Sequence, residues 1–247
     1  MKVVSGRTVV GGVAIAPLRV CLRKEFQFQE VSELNAKQEY IRFERARKSA
    51  QAQMSALYRQ LSPEIGDEVA SIFDIHRMIL EDDDYLDTVR TFLEKGYTAQ
   101  YAAAAAGRIF TAVFNRMDDS YMQARANDVR DISSRLIRIL SGIPTDGMLR
   151  GEPVILAVED LFPSEAAELD RGQLLGIIAR CGSRYSHASI LAQALHIPAI
   201  VEVAFDESWD GKMVILDGNQ GVAYVDPPPE LLAKWEENPA AFFGSSR

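Results

Sequence analysis

A histidine at the predicted start of a helix carries the clearest chemical signal in the chain. Ser186 directly precedes His187, and its hydroxyl can accept a backbone N–H of a first helical turn. Apolar residues then follow at helical spacing: Ile190, Leu191, Ala194 and Leu195. A helix N-terminus favours negative charge, and a neutral imidazole nitrogen is a nucleophile toward phosphorus. The spacing therefore predicts a phosphate held on or beside His187, although a histidine with no chemical role fits it equally well.

The residues around this histidine resemble the phosphohistidine signature of the phosphoenolpyruvate-utilising enzymes. The similar stretch covers residues 182–189 and continues through residues 197–201. In that family the histidine carries a phosphoryl group between two sites. The resemblance implies that His187 is the phosphorylated residue and that Arg184 and Ser189 lie beside it. Arg184 would stabilise the phosphate through its planar set of donors.

Three further stretches are similar to one member of that family, Enzyme I of the bacterial sugar phosphotransferase system. They are residues 72–82, 124–132 and 158–165, and the whole resemblance runs over residues 4–228. It implies the N-terminal, phosphoryl-carrying half of an Enzyme I. The implied fold is an α/β phosphohistidine (swivelling) domain with an inserted all-α helical-bundle subdomain. The implied activity is phosphoryl transfer from phosphoenolpyruvate to a histidine phosphocarrier protein in sugar uptake.

The resemblance also implies a surface on the helical subdomain where that carrier docks. The candidate contact residues combine acidic, apolar and other polar side chains: Asp67, Glu68, His76, Met78, Ile79, Asp83, Asp84, Tyr121, Arg125 and Asp128. Charge at such a surface steers the encounter, while apolar anchors supply much of the affinity. Most charge runs are solvated helix faces, and His76 is equally compatible with an exposed helical histidine that has no task.

Periodicity divides the chain into three regions. Residues 1–30 contain short β-rich runs, which are too few to fold alone and are expected to join the strands of residues 145–228. Those later residues hold short apolar runs, typical of strands buried on both faces. Residues 32–142 show the spacing of a helical bundle, and residues 229–247 are predicted to form a linker helix and tail.

The first helix of the bundle is predicted from one apolar stripe. Its members are Phe43, Ala46, Ala50, Met54, Leu57 and Leu61. Ser62 and Pro63 are predicted to start a new helix, with the serine as cap and the proline in the first turn, where its missing N–H costs nothing. Gly96 is predicted to end a later helix, because glycine readily adopts a left-handed conformation.

Composition and charge exclude several classes of protein. The chain has 247 residues and a formal net charge of -8, which argues against nucleic acid because phosphate backbones bind basic patches. No apolar run approaches the roughly 20 residues that cross a bilayer, and no signal peptide is evident, so we expect a cytoplasmic protein without membrane contact. Cys21 and Cys181 fit no metal spacing, and Cys181 is predicted to be a small buried packing residue.

Five positions depart from the pattern of Enzyme I. They are Val69, Ala166, Ser183, Tyr185 and Ala188. The family commonly has a threonine at position 166 whose hydroxyl meets the active histidine, and a lysine at position 69 near it. The predicted nucleophile, His187, is therefore kept, but some of the residues that would orient its ring are replaced. A non-catalytic docking module that keeps the helices but has lost efficient transfer stays open as an alternative.

Full Enzyme I continues into a barrel domain that binds phosphoenolpyruvate and Mg²⁺, and no room for it remains after Arg247. We therefore expect a truncated chain or, second, a natural stand-alone domain. Such a chain would need no cofactor or metal of its own, would dimerise only through the barrel domain, and would exchange phosphate without using phosphoenolpyruvate alone. A related module of a multiphosphoryl transfer or nitrogen-regulatory protein is a further alternative.

Overall fold

The computed structural model describes residues 1–22, 26–143, 151–169, 172–182 and 186–237. The chain folds as two compact units. The first, here called the α/β unit, comprises Met1–Arg23, Asp146–Leu161 and Leu169–Arg247. The second, the helical unit, comprises Lys24–Thr145 and Phe162–Glu168.

One mixed sheet of eight strands forms the centre of the α/β unit, as far as its residues are described. The strands are β1 (Lys2–Ser5), β2 (Arg7–Val10), β3 (Val13–Cys21), β4 (Val154–Val158), β5 (Leu174–Ala179), β6 (Ala199–Val201), β7 (Met213–Asp217) and β8 (Val222–Val225). Their order in the sheet is β1-β8-β7-β3-β4-β5-β6-β2. All five residues of β4 and all but one of β5 are buried, as expected of strands covered on both faces.

Strand β3 joins the N-terminal residues to the rest of the sheet. Its first half pairs antiparallel with β7, from Val13 opposite Asp217 to Pro17 opposite Met213. Its second half pairs parallel with β4, where Leu18 lies opposite Ile155. The N-terminal residues therefore return to the strands of the later region, as the sequence predicts.

The helical unit contains six of the described helices. They are α1 (Ala36–Ile65), α2 (Asp67–Ile79), α3 (Asp83–Glu94), α4 (Ala99–Asn115), α5 (Ser120–Ser141) and α6 (Pro163–Glu168). Side-chain N-caps start four of them: Asn35 for α1, Asp82 for α3, Thr98 for α4 and Asp119 for α5. The α/β unit carries α7 (His187–Ala194) and α8 (Pro229–Glu237). The predicted fold class, an α/β domain with an inserted helical bundle, is confirmed.

The predicted new start at Ser62 and Pro63 is wrong. Helix α1 continues through Pro63 to Ile65 and ends at Gly66, whose φ of 85° lies in the left-handed region. The last turn loses the bond that an N–H at position 63 would make, yet the Gly66 N–H closes that turn by donating to the Ser62 carbonyl at 3.0 Å. The predicted stripe of α1 is confirmed, because its members are all buried: Phe43, Ala46, Ala50, Met54, Leu57 and Leu61.

Helix α6 belongs to the helical unit, although its residues fall within the range 145–228 that was predicted to form the α/β region. The Ser164 N–H and hydroxyl both donate to the carboxylate of Asp131 on α5, at 3.1 and 2.5 Å. Arg135, also on α5, pairs with Glu168 at 2.8 Å. Asp131 and Arg135 lie about thirty positions earlier in the sequence. The periodicity of residues 162–168 therefore does not reveal these contacts.

Helix α8 covers the first part of the predicted linker helix and tail, and it packs against the α/β unit. Trp235 is 2% exposed, and its ring lies 6.3 Å from that of Tyr224 on β8. A buried tryptophan of this size fixes α8 to the α/β unit. Residues 238–247, the rest of the predicted tail, lie outside the described residues.

Candidate functional site

The start of α7 is built around Ser186. This residue has extended backbone angles (φ -67°, ψ 152°), and its hydroxyl accepts the Ser189 N–H at 3.2 Å. The same hydroxyl donates to the Ser189 Oγ at 3.0 Å. The predicted N-cap is therefore confirmed. Ser189 is 5% exposed, and its bonds to Ser186 stabilise the first turn of α7.

His187 is the first residue of α7 and is half-buried. Its position next to the N-cap places it at the positive end of the helix dipole, which attracts an anion. The imidazole thus combines a nucleophilic nitrogen with surroundings that favour a phosphoryl group.

Several expectations around the histidine fall on residues that the structure does not describe. Arg184, the predicted phosphate ligand, lies outside the described residues, as do Ser183 and Tyr185. The altered positions in the helical unit are described: Val69 is half-buried on α2, and Ala166 is buried on α6.

The backbone before α7 is fixed by the sheet. The Arg180 and Cys181 N–H groups donate to the carbonyls of Val158 and Glu159 at 2.9 and 2.7 Å, so the backbone just after β5 stays bonded to the end of β4 and the residue that follows it. Gly182 follows with a φ of 126°, a conformation that side chains other than glycine rarely adopt. Cys181 is exposed, so its predicted burial is wrong: it follows the strand and lies outside the packed sheet.

Helix α7 is capped at its C-terminus near His196. This residue is exposed and has a φ of 57°. The His196 N–H donates to the Gln193 carbonyl at 3.1 Å, and the Ile197 N–H donates to the Ala192 carbonyl at 3.1 Å, which is the bond pattern of a Schellman C-cap. His196 therefore closes the C-terminal end of α7.

We expect His196→Gly to stabilise the chain by about 1 kcal/mol, because a left-handed backbone costs a residue with a Cβ roughly that amount and glycine almost nothing. The measurement is urea unfolding followed by circular dichroism. Gln193→Gly is the matched control within the same helix and should destabilise by about 1 kcal/mol. Loss of stability in His196→Gly would contradict the strain assigned to this position.

The helical unit carries a groove of about 500 Å³ between α2, α3, α4 and α5. Its lining is mainly apolar: Ile75, Met78, Ile79, Asp82, Asp84, Tyr85, Phe110, Val113, Phe114, Met122, Arg125 and Val129. Met78 is 64% exposed and Val113 46% exposed. Exposed apolar surface of this kind is typical of binding sites. We call it the docking groove.

The docking groove brings together four of the predicted contact residues, which are Met78, Ile79, Asp84 and Arg125. Asp83 is exposed next to Asp84 in the first turn of α3, so it adds charge to the rim. Together these side chains form an apolar floor with an acidic edge.

Asp67 and Glu68 do not line the docking groove. Both are exposed in the first turn of α2, about 16 Å along the helix from Met78 at 1.5 Å per residue. Asp67 accepts hydrogen bonds from the hydroxyls of Ser62 and, at 3.2 Å, Tyr58. Its structural role is therefore to connect α1 to α2. Tyr121 lies in the first turns of α5, and its side chain is outside the described residues.

His76 and Asp128 are the predicted contact residues that need correction, because both side chains have no exposed surface. The His76 Nε2 lies 3.4 Å from the Asp128 Oδ1, and its Nδ1 lies 3.7 Å from the Asp131 Oδ2. The Arg125 Nη1 lies 3.7 Å from the Asp128 Oδ2. His76 and Asp128 therefore connect α2 to α5 and cannot touch a docked partner directly, whereas Arg125 lines the docking groove.

Among the described residues, no group of three or more histidine, cysteine, aspartate or glutamate side chains is arranged to hold a metal ion. No helix in the described part of the chain is both long and apolar enough to cross a membrane.

Comparison with known proteins places these features in a family. Residues 5–125 match the PEP-utilising enzyme, N-terminal, and residues 150–221 match the PEP-utilising enzyme, mobile domain. Phosphoenolpyruvate-protein phosphotransferases of Bacillus sp. (strain S) and Geobacillus stearothermophilus are each 31% identical over 245 residues. The match covers 98% of this chain but 42% of each relative, so the chain spans less than half of their length.

Two solved structures are similar over nearly their whole length. One is the N-terminal domain of Enzyme 1 - Nitrogen, with a TM-score of 0.66 and 26% identity over 95% of this chain and 98% of that one. The other is a solution structure of Enzyme I, with a TM-score of 0.71 and 26% identity over 97% and 99%. The chain therefore belongs to the PEP-utilising enzymes, within which it matches the N-terminal domain of Enzyme I.

Proposed function

We propose that the chain carries a phosphoryl group on His187 and exchanges it with a histidine phosphocarrier protein. The observation that carries the proposal is the placement of a half-buried histidine at the capped N-terminus of α7. The docking groove supports the second part, since its acidic edge complements a basic carrier and its apolar floor supplies anchors.

The proposed transfer step needs no net gain or loss of a proton by the two histidine rings. A neutral nitrogen of the His187 ring forms a bond to phosphorus as the N–P bond of the carrier's phosphohistidine breaks, and the carrier ring keeps the electron pair. The N–H groups at the start of α7 favour the negative oxygens of the phosphoryl group through the transition state. The reverse step returns the group to the carrier by the same route.

We assign the phosphoenolpyruvate-dependent step to a part of the enzyme other than these residues, because the relatives named for that activity are more than twice as long. Mg²⁺ and dimerisation would belong to that same part. Sugar uptake is the favoured pathway. Nitrogen regulation is the second candidate, supported by the similarity to the N-terminal domain of Enzyme 1 - Nitrogen.

The test is incubation of the chain with a phosphorylated histidine phosphocarrier protein, followed by intact mass measurement. The expected result is the gain of one phosphoryl group, lost again in acid as a histidine phosphoramidate should be. Return of the label to unphosphorylated carrier shows exchange. A chain that binds the carrier but gains no phosphate would reject transfer and support the non-catalytic docking module.

Charge reversal at the edge of the docking groove should slow association with the carrier. Asp83→Lys and Asp84→Lys should each lower the on-rate several-fold at low salt, and the difference should shrink as ions screen the charge beyond about 10 Å at 0.1 M. Stopped-flow mixing measures this rate. Glu94→Lys, an equal charge change at the far end of α3, is the control and should have less effect. Unchanged on-rates at low salt for both edge variants would reject this surface.

A further inference from the structure

A single positive charge lies among the described residues that line the docking groove. It belongs to Arg125, which shares the lining with the carboxylates of Asp82 and Asp84. The Arg125 side chain is 19% exposed, so it is largely buried but still reaches the groove. A long side chain loses conformational freedom when a partner fixes it, so a guanidinium that is already held in place binds more tightly.

Asp128 contacts Arg125 from inside the helical unit. The Arg125 Nη1 lies 3.7 Å from the Asp128 Oδ2, and the two residues are three apart on α5, a spacing that places them on one face. The Asp128 side chain has no exposed surface, so water weakens this attraction less than it would at the surface. The carboxylate therefore attracts the guanidinium to one position in the wall of the groove.

His76 fixes the orientation of Asp128. The His76 Nε2 lies 3.4 Å from the Asp128 Oδ1, and because a carboxylate only accepts, the ring N–H is the donor. This bond uses one carboxylate oxygen and leaves the other on the side of Arg125. The ring of Phe73 meets the imidazole edge-on, with 6.4 Å between the centroids, which limits rotation of the imidazole.

The imidazole is held from its other side by Asp131. The His76 Nδ1 lies 3.7 Å from the Asp131 Oδ2. Asp131 is fixed in turn, because it accepts the N–H and the hydroxyl of Ser164 at 3.1 and 2.5 Å. A continuous series of polar contacts therefore runs from α6 through the buried histidine to the groove.

From these contacts we propose that Asp128 and His76 are positioning residues for recognition of the carrier. They hold Arg125 so that its guanidinium, which has five N–H donors, meets an acceptor oxygen of the docked carrier. A cation in the wall repels a basic group placed opposite it, so Arg125 adds specificity that the acidic edge does not provide. The inference rests on the proposed function, because the carrier is the occupant of the groove.

The first experiment needs no carrier and uses the wild-type chain. Relaxation of the guanidinium ¹⁵Nε measures how far Arg125 is immobilised, with Arg125→Gln identifying the signal. We expect an order parameter above about 0.6 for Arg125 and below it for Arg45, an exposed arginine on α1. An Arg125 value as low as that of Arg45 would overturn the positioning, whether or not the carrier binds.

The second experiment is a double-mutant cycle of carrier affinity, measured by calorimetry. Arg125→Gln should raise the Kd about tenfold, and Asp128→Asn should raise it several-fold. Adding Asp128→Asn to Arg125→Gln should change the Kd less than about twofold, because the side chain that Asp128 positions is already gone. Independent losses that multiply in the double variant would overturn the proposed role of Asp128.

Arg135→Gln is the control for destabilisation alone. It breaks a buried ion pair with Glu168 on the same helix, away from the groove lining, and should leave the Kd within about twofold of wild type. A rise in Kd as large as that of Asp128→Asn would mean that destabilisation of α5 explains the effect, and it would overturn the positioning role.

His76 is tested by a conservative and a non-conservative variant, each checked for folding by circular dichroism. His76→Gln keeps an N–H donor for Asp128 and should bind the carrier more tightly than His76→Leu by several-fold. Equal affinity of the two folded variants would remove His76 from this role. No carrier binding by the wild-type chain would reject the proposed docking itself, whereas wild-type binding with an unchanged Kd in Arg125→Gln would reject only this inference.

Discussion

Replacing His187 with alanine is expected to abolish labelling of the chain by phosphorylated carrier protein. The substitution removes the nitrogen that would form the N–P bond. Of the three histidines in the sequence, His76 has no exposed surface and His196 closes the far end of α7. Intact mass measurement after incubation should therefore show the phosphoryl adduct in the wild-type chain and none in His187→Ala.

The matched control is His196→Ala, which removes the exposed histidine at the C-terminal end of α7 and should keep full labelling. Carrier binding by His187→Ala should also persist, because the docking groove lies in the helical unit and contains no residue of α7. Equal labelling of His187→Ala and the wild-type chain would place the phosphoryl group elsewhere and reject the proposed acceptor.

The second large effect is expected at the buried histidine of the helical unit. His76→Ala should lower the free energy of unfolding by about 3–5 kcal/mol, because it removes one partner from a buried charged cluster and leaves a cavity. The Asp128 and Asp131 carboxylates would then lose the ring that lies between them. Urea unfolding followed by circular dichroism measures the change.

Arg77→Ala provides the control on the neighbouring residue. Arg77 is 40% exposed and pairs with Asp74 at 3.5 Å and Glu81 at 3.4 Å on the surface, where such pairs contribute about 0–1 kcal/mol. The two alanine variants should therefore differ by several-fold in their cost. Similar, small losses for both would mean that the cluster around His76 adds little to stability.

The sequence predicted local features of the site well because local physics determines them. The cap at Ser186 depends on one hydroxyl and the next three residues, and the end of α3 depends on Gly96, which has a φ of 87°. The resemblance to a docking region predicted that Met78 and Ile79 lie at the surface of the helical unit, and both line the docking groove. These features need no information about distant parts of the chain.

The positions of His76 and of helix α6 were predicted wrongly, because both are determined by contacts between residues far apart in the sequence. His76 follows Ile72 and Phe73 at helical spacing, so it occupies the buried face of α2, and this signal could have identified its burial. Its carboxylate partners lie more than fifty residues later, at a spacing of three on α5, and the sequence alone does not join the two helices. Helix α6 was assigned to the wrong unit for the same reason, because its attachment to the helical unit depends on the distant residues Asp131 and Arg135.

The pairing of β3 has a consequence for synthesis of the protein. Val13 lies opposite Asp217, so the strand leaves the ribosome about 10–40 s before its partner at 5–20 residues per second. The residues of α1 to α5 are made in that interval and can pack through shorter-range contacts. We therefore expect the helical bundle to form first on the ribosome, while the N-terminal strands stay unpaired and depend on chaperones or on rapid completion of the chain.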